Sequence, residues 1–292
     1  MKEFTLCVVA ALSLFLVPTL GSKVVVYNAS QLVGLFTSTC HADVELGDDI
    51  DMSTQNLTFP LCLKQDGTCE PFNGTFDGKG HSVKTLVMNN YGSVKSNAGL
   101  FCGLNGAVFQ DLVIDSSCSF QGAIAGSLAP YASGSLHVRN TVNHASVKGE
   151  QHVGGLVGLI DKLGKEERVV FDQCINNGNV IGEHCNAGGI IGNIHSSLGD
   201  SQVMLLNCGN SGIISSLSGK SCEFVCSDNR NSKEGVLIIN GKNKGVMSRI
   251  KLSSDLNAHI VRETTTFTVT ITGVISATVS VAAGTLLGNI NK

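Results

Sequence analysis

The chain is predicted to be all-β: a parallel, right-handed β-helix (solenoid) with repeats of about 33 residues and a divergent C-terminal cap. Three observations predict it. An apolar quartet recurs as Gly99-Leu100-Phe101-Cys102, Ala123-Ile124-Ala125-Gly126, Gly155-Leu156-Val157-Gly158 and Gly189-Ile190-Ile191-Gly192, at steps of 24, 32 and 34 residues. An asparagine signature recurs as Thr141-Val142-Asn143, Cys174-Ile175-Asn176 and Cys208-Gly209-Asn210, with a trace at Asn243, and these asparagines are 33, 34 and 33 residues apart. Between them lie short β-rich runs, Leu112–Ile114, Val138–Val147, Val169–Phe171 and Val203–Leu206, separated by glycine and asparagine that tolerate left-handed corners. One such unit cannot bury its apolar face alone, so neighbouring units stack and share a core. Stacking at about 4.8 Å places like over like. Asn176 is then expected above Asn210 as an amide ladder, and Val147, Val180 and Ile214 as an aliphatic stack.

Composition limits the function classes. With 15% charged residues, a net charge of −3 and no basic tract, the chain lacks the electrostatic footprint of a nucleic-acid binder. Its 42% apolar content is that of a folded chain. No long segment shows helical apolar spacing away from the termini.

Residues 1–21 read as a signal peptide: Lys2, an apolar run from Leu6 to Val17, and small residues ending at Gly21. Ten cysteines remain after it, an even number that suits disulfides in an exported chain. Asn28, Asn56 and Asn73 head N-glycosylation sequons.

Residues 22–97 form an opening β segment and first rungs. Val24–Tyr27 is a β-branched strand. Val44–Met52 alternates around a polar step, as a strand with a turn or bulge does. Asp48, Asp49 and Asp51 in that step are read as a solvated turn, since no second cluster of calcium ligands accompanies them. Cys62 and Cys69 flank an Asp66-Gly67 turn and are candidates for a local bridge.

Residues 98–252 form the repeat solenoid. Cys174 and Cys208 share one repeat position, so they are expected to touch, as a disulfide or as stacked thiols; pairing of either with another cysteine such as Cys185 is the alternative. Cys222 and Cys226 are candidates for a local bridge near the end of the stack. Residues 253–292 form an uncharged, Ser/Thr-rich tail. Residues 267–287 are long enough to span a membrane or to serve in an anchor signal. The alternation of Phe267, Val269 and Ile271 with Thr268, Thr270 and Thr272 instead favours terminal strands.

The string Phe72-Asn73-Gly74-Thr75-Phe76-Asp77-Gly78-Lys79-Gly80-His81, preceded by Leu46–Asp51 and followed by the quartets, resembles the GLUG-repeat secreted and surface proteins. The resemblance covers roughly residues 44–215. Gly155–Gly158 matches the family quartet, Gly189–Gly192 departs at one position, and Cys102 and Ala123 stand where the first two copies should carry glycine. The resemblance implies a pectin-lyase-like parallel β-helix used for surface display and adhesion.

No catalytic residue, cofactor site or metal site is assigned. The carboxylates of the repeat core, Asp111, Asp115, Glu150, Asp161, Glu166, Glu167, Asp172, Glu183 and Asp200, do not recur at the repeat period. Gly80-His81 and Arg249-Ile250-Lys251 resemble polygalacturonase fragments but are too far apart in sequence for that pattern, and are read as coincidence. The functional expectation is a non-catalytic extracellular or cell-surface glycoprotein acting by adhesion or display. Its partners would be host or matrix glycans or surface proteins, with membrane attachment through 267–287. The alternative is a secreted carbohydrate-active enzyme. Carboxylates clustered in a groove would favour the enzyme, and a smooth Asn, Ser and Thr face would favour the binder.

Overall fold

Leu136–Arg139, Val142–Asn143, Ser146–Gly154 and Val157–Ile160 make one turn of a solenoid, and each strand belongs to a different parallel sheet. The next turn repeats them as Arg168–Asp172, Ile175–Asn176, Val180–Gly182 with Asn186–Gly188, and Ile191–Ile194. We call these the first to fourth sheets. The computed structural model describes residues 23–90, 97–161, 163–184, 186–194, 202–217, 221–226, 236–239, 241–243, 247–249, 265–271 and 277–281. The expected signal peptide, Cys185, Asp200 and most of the tail lie outside these residues.

The core is built from in-register columns. In the first sheet Val44, Phe76, Phe109, Val138, Phe171 and Leu205 stack inward and are fully buried. In the third, Met88, Phe120, Val147, Val180 and Ile214 do the same. Each side chain so buried contributes about 1.5–3 kcal/mol relative to exposure. The columns therefore hold together strands that are only two to five residues long in most places.

The second sheet changes chemistry part-way along. Its inward column reads Ile50, Val83, Ile114, Asn143, Asn176, Asn210 and Asn243. Asn143 Nδ2 donates to Asn176 Oδ1 at 2.8 Å, Asn176 to Asn210 at 2.8 Å and Asn210 to Asn243 at 3.0 Å. The second hydrogen of each amide goes to its own corner: Asn143 to Ala145 O at 3.0 Å, Asn176 to Gly178 O at 2.9 Å and Asn210 to Gly212 O at 3.1 Å. Both donors of each of these buried amides are thus satisfied. The switch from Ile114 to Asn143 has a geometric cause. Three residues separate Asn143 from Val147, against five between Ile114 and Phe120. The shorter corner turns more tightly, and the asparagine side chain supplies the hydrogen bonds that hold it.

The glycine quartet faces this ladder. A Cβ on Gly155 would collide with the Gly189 carbonyl oxygen and stand 2.6 Å from Asn176 Cγ. On Gly189 it would collide with the Glu223 carbonyl oxygen and stand 3.1 Å from Asn210 Cγ. The two repeat signatures are therefore the two sides of one narrow interior.

Register bears out the first quartet and corrects the second. Ala132 pairs with Leu104 on one side and with Ile160 on the other, and Ala129 pairs with Val157. The equivalents of Gly155-Leu156-Val157-Gly158 are thus Gly99-Leu100-Phe101-Cys102 and Ser127-Leu128-Ala129-Pro130, with Leu100, Leu128 and Leu156 fully buried in the same place. Ala123–Gly126 belongs to the preceding strand, opposite His152–Gly154. Small apolar residues on both sides of the corner disguise the shift.

At the other corner Asp111, Asn140, Gln173 and Asn207 carry φ of 52°, 45°, 55° and 54° in successive rungs. Asparagine and aspartate accept this left-handed conformation more readily than most side chains. Val44–Leu46 and Ile50–Asp51 also flank a corner; they belong to different sheets, so of the expected turn or bulge it is a turn that divides the segment, into two strands.

A helix, Ala29–Ser38, covers the N-terminal end of the core. It was not expected from the apolar spacing. Its signals are a variant of the capping box, in which the N-cap Asn28 Oδ1 accepts from Gln31 N–H at 3.0 Å while Gln31 Oε1 accepts from Tyr27 N–H, one residue before the cap, at 2.8 Å, and the buried positions Ala29, Leu32 and Phe36. Phe36 meets Phe72 and Phe101 edge-on, at centroid distances of 5.6 and 4.9 Å. At the other end Val236–Ile239, Lys242–Asn243 and Met247–Arg249 add a further rung in register. Thr265–Ile271 pairs antiparallel with Lys242–Asn243 and with Ala277–Val281. Among the described residues no helix is long and apolar enough to cross a membrane. Residues 272–276 and 282–287 of the expected span lie outside them.

Replacing Asn176 by Ala removes a donor and an acceptor from a filled ladder and is expected to destabilise by about 2–3 kcal/mol. Gly155→Ala overpacks the same point at a cost of about 1–3 kcal/mol. Denaturant unfolding of the two single variants checks both.

Candidate binding face and grooves

Among the described residues three disulfides shape the surface near the two ends. Cys40 bonds Cys62, Cys69 bonds Cys102, and Cys222 bonds Cys226. The expected Cys62–Cys69 bridge is corrected. Leu63, not Cys62, stands opposite Cys69 in a hairpin closed by Lys64 N–H to Thr68 O at 2.9 Å and Gly67 N–H to Lys64 O at 2.9 Å. The two sulfurs are left to tie the hairpin to its neighbours. Cys174 and Cys208 are free, buried and stacked, so the disulfide form of that expectation does not hold. Burial, then the Cys208 thiol beside it, pushes the Cys174 thiol well above its ordinary range. Burial also pushes Cys118 up to about 11.

The disulfide-bound hairpin forms walls of two grooves. One, of about 480 Å³, runs between Pro60, Leu63 and Asp66 on one side and Leu104, Tyr131 and Ser133 on the other. The other, of about 470 Å³, lies between the hairpin and the C-terminal half of the helix, with Val33, Phe36 and Glu70 in its lining. Glu70 is held below its ordinary pKa by Lys64 at 3.1 Å and then by His41 at 3.0 Å. Each groove carries one carboxylate.

The outer face of the first sheet carries two side-chain columns. One reads Val108, His137, Val170 and Met204, all at least partly exposed. A shallow groove of about 230 Å³ follows it, with Leu136, His137, Arg168 and Val170 in its lining. The other reads Glu45, Asp77, Gln110, Arg139, Asp172 and Leu206. Gln110 Nε2 donates to Asp77 Oδ2 at 2.6 Å, and Arg139 to Gln110 Oε1 at 3.3 Å. This face is aliphatic and mixed in charge, in place of the smooth Asn, Ser and Thr surface expected of a binder. Asparagine and serine gather instead at the corner column His144, Asn177 and Ser211, where Ser211 Oγ donates to Asn177 Oδ1.

The carboxylate arrangement nearest to a catalytic pair is Glu45 with Asp77, on adjacent rungs. Both face Lys79, at 3.3 and 3.4 Å, and Lys23, at 3.8 Å each. Asp77 is 1% exposed. Its burial alone would raise the carboxyl, but hydrogen bonds from Gln110 and the Lys79 backbone N–H, with the Lys79 charge, outweigh it and keep the group ionised. Such a carboxylate has no proton to give and no access to substrate. Other repeat carboxylates are held by neighbours in their own or the adjacent rung: Asp111 by Asn140, Asp115 by Ser117, Glu167 by Gly164 N–H, Asp172 by Asn207, and Glu183 by Lys148. His81 and Arg249 are not brought together. The second-sheet register from Ser82 to Lys242 puts five rungs between them, about 24 Å.

The acidic step at Asp48–Asp51 is engaged by the protein itself. Asp49 accepts from Lys84 Nζ at 2.5 Å and Ser82 N–H at 2.8 Å. Asp51 caps the short helix Met52–Thr54 through Ser53 N–H at 2.9 Å and accepts from Thr85. Among the described residues no group of three His, Cys, Asp or Glu side chains could hold a metal ion. Of the sequon asparagines, Asn28 caps the helix, Asn73 accepts from His41, and Asn56 sits in the loop after Met52–Thr54; all three are exposed.

A scan against family models finds no match, and no curated protein matches in sequence. A candidate immunoglobulin A1 protease from Bacteroides ovatus has a similar crystal structure, with a TM-score of 0.53 over 81% of each chain. At 16% identity that likeness shows the β-solenoid fold.

The Asp49 carboxyl, lowered to about 2 chiefly by Lys84, gives a pH prediction. A depressed carboxylate contributes stability above its unfolded value of 3.8 that is lost as pH falls toward about 2. Carboxyl-detected NMR should place Asp49 near that value, and Lys84→Met should move it back up toward 3.8.

Proposed function

We propose that this is a non-catalytic extracellular or cell-surface protein that adheres to, or displays itself to, glycans or surface proteins through the outer face of its first sheet. The observation that carries the reading is the disposition of the charges. None of the three grooves described above is lined by two carboxylates, and the close pair Glu45 and Asp77 is held by Lys79 and Lys23, with Asp77 itself buried. The Val108–Met204 and Gln110–Leu206 columns, by contrast, present the same two stripes over four successive rungs, a surface suited to an extended partner. Disulfides, the signal-like N-terminus and the sequons support an extracellular setting. The resemblance of residues 44–215 to GLUG-repeat surface proteins supports display or adhesion. The carbohydrate-active alternative would need an accessible acid and base at fixed separation.

Glycan-array and cell-binding assays of the secreted chain test this. Binding is expected to fall at least about tenfold in Arg139→Ala with Val170→Glu, with unfolding unchanged, and to survive removal of the groove carboxylates Asp66 and Glu70. Turnover of a polysaccharide, or binding indifferent to the face substitutions, would overturn it.

A further inference from the structure

The chain has three N-glycosylation sequons, all between residues 28 and 75, and none from residue 76 onward. The fold gathers them. Asn28 is the N-cap of the helix Ala29–Ser38. Asn56 adjoins Gln55, whose Nε2 donates to Ser30 Oγ in the first turn of that helix at 3.0 Å. Asn73 N–H donates to Cys40 O at 3.3 Å, just beyond the last turn, and its Oδ1 accepts from His41 Nδ1 at 2.7 Å. All three are exposed. Asn28 and Asn73 spend their carbonyl oxygens within the protein, which orients each amide while leaving Nδ2, the atom that takes the sugar, unengaged. Modification would thus be compatible with the cap and with the His41 contact.

The same end carries an open strand edge. Val24–Val26 is the terminal strand of the first sheet and pairs with Val44–Leu46 alone among the described strands. Val24 N–H and Val26 C=O bond that neighbour, each at 2.8 Å through Asp43 O and Gly47 N–H. The intervening Val25 therefore turns its N–H and C=O to the open side. Val25 is 42% exposed and Tyr27 57%. An apolar edge of this kind is a template for another strand, and the nearest source is a second copy of the chain.

We propose that Asn28, Asn56 and Asn73 all carry N-linked glycans, and that this ring around the capping helix keeps the Val24–Val26 edge from pairing with a second copy. In each transfer the asparagine Nδ2 attacks the anomeric carbon of a lipid-diphosphate-linked oligosaccharide. The N–C bond forms, the sugar–phosphate C–O bond breaks, the amide loses one proton, and the lipid diphosphate leaves. The rungs from Val108 onward remain bare. The inference stands on sequon geometry and strand pairing, independently of what the first-sheet face binds.

The test is expression of the full chain in a eukaryotic secretory host with glycopeptide mass mapping. Ser30→Ala, Thr58→Ala and Thr75→Ala should each delete one glycan while keeping every asparagine, including the helix cap. Light scattering should show the glycosylated protein monomeric and the triple variant associated. Val25→Pro, which removes the outward N–H, should return the triple variant to monomer. Enzymatic deglycosylation of the unmutated protein should reproduce the association, independently of any folding defect in the variants. An unoccupied sequon overturns the proposal; so does a glycan-free form that stays monomeric, or association that Val25→Pro leaves in place.

Discussion

The ladder Asn143–Asn176–Asn210–Asn243 is the constraint on which the C-terminal half of the solenoid depends. A buried primary amide left without partners costs about 1–3 kcal/mol, so the ladder is stabilising only if every rung repeats it in register. Register, once forced, places Val147, Val180 and Ile214 over one another and sets Cys174 on Cys208. It also fixes what lies opposite. Gly155 and Gly189 have no room for a side chain because a carbonyl oxygen of the next rung occupies it, with an asparagine amide beside it. The repeat period, the glycine quartet and the asparagine signature are thus three consequences of one cross-section.

The N-terminal half solves the same problem with volume. Where the corner between the second and third sheets is longer, the inward positions are Ile50, Val83 and Ile114, and the interior is filled by Phe72, Phe76, Phe101 and Phe109 in mutual ring contact. A wide apolar interior cannot be left open at its end, and the helix Ala29–Ser38 closes it with Phe36. The Cys40–Cys62 and Cys69–Cys102 bonds tie the least regular loops to this cap and to the next turn.

The parts legible in the sequence are those governed by periodicity. The asparagine spacing and the Val147, Val180 and Ile214 stack could be read directly, because identical corners demand identical residues. Of the four quartets only Ala123–Gly126 is out of register, because small apolar residues flank that corner on both sides and composition alone does not mark which side is which. The helix was missed because Asn28 reads as a sequon as readily as an N-cap; Gln31 three residues later was the distinguishing mark. Disulfide partners were not legible beyond Cys222–Cys226, since Cys69 meets Cys102 only after a full turn. The binding face was invisible for a related reason: Val108, His137, Val170 and Met204 share no local motif and become neighbours only through stacking.

Electrostatics and shape then separate scaffold from surface. The buried carboxylate of Asp77 is paired with the Lys79 and Lys23 ammonium groups at the surface, and the exposed columns of the first sheet are continuous over several turns. The measurement that bears most directly on this account is hydrogen exchange of side-chain amides by NMR. The Nδ2 protons of Asn143, Asn176 and Asn210 should exchange as slowly as core backbone amides of the adjoining strands, since each is buried and bonded both along and across the stack. Exchange at the rate of an exposed asparagine would contradict the ladder, and with it the stacking from which the rest of the structure follows.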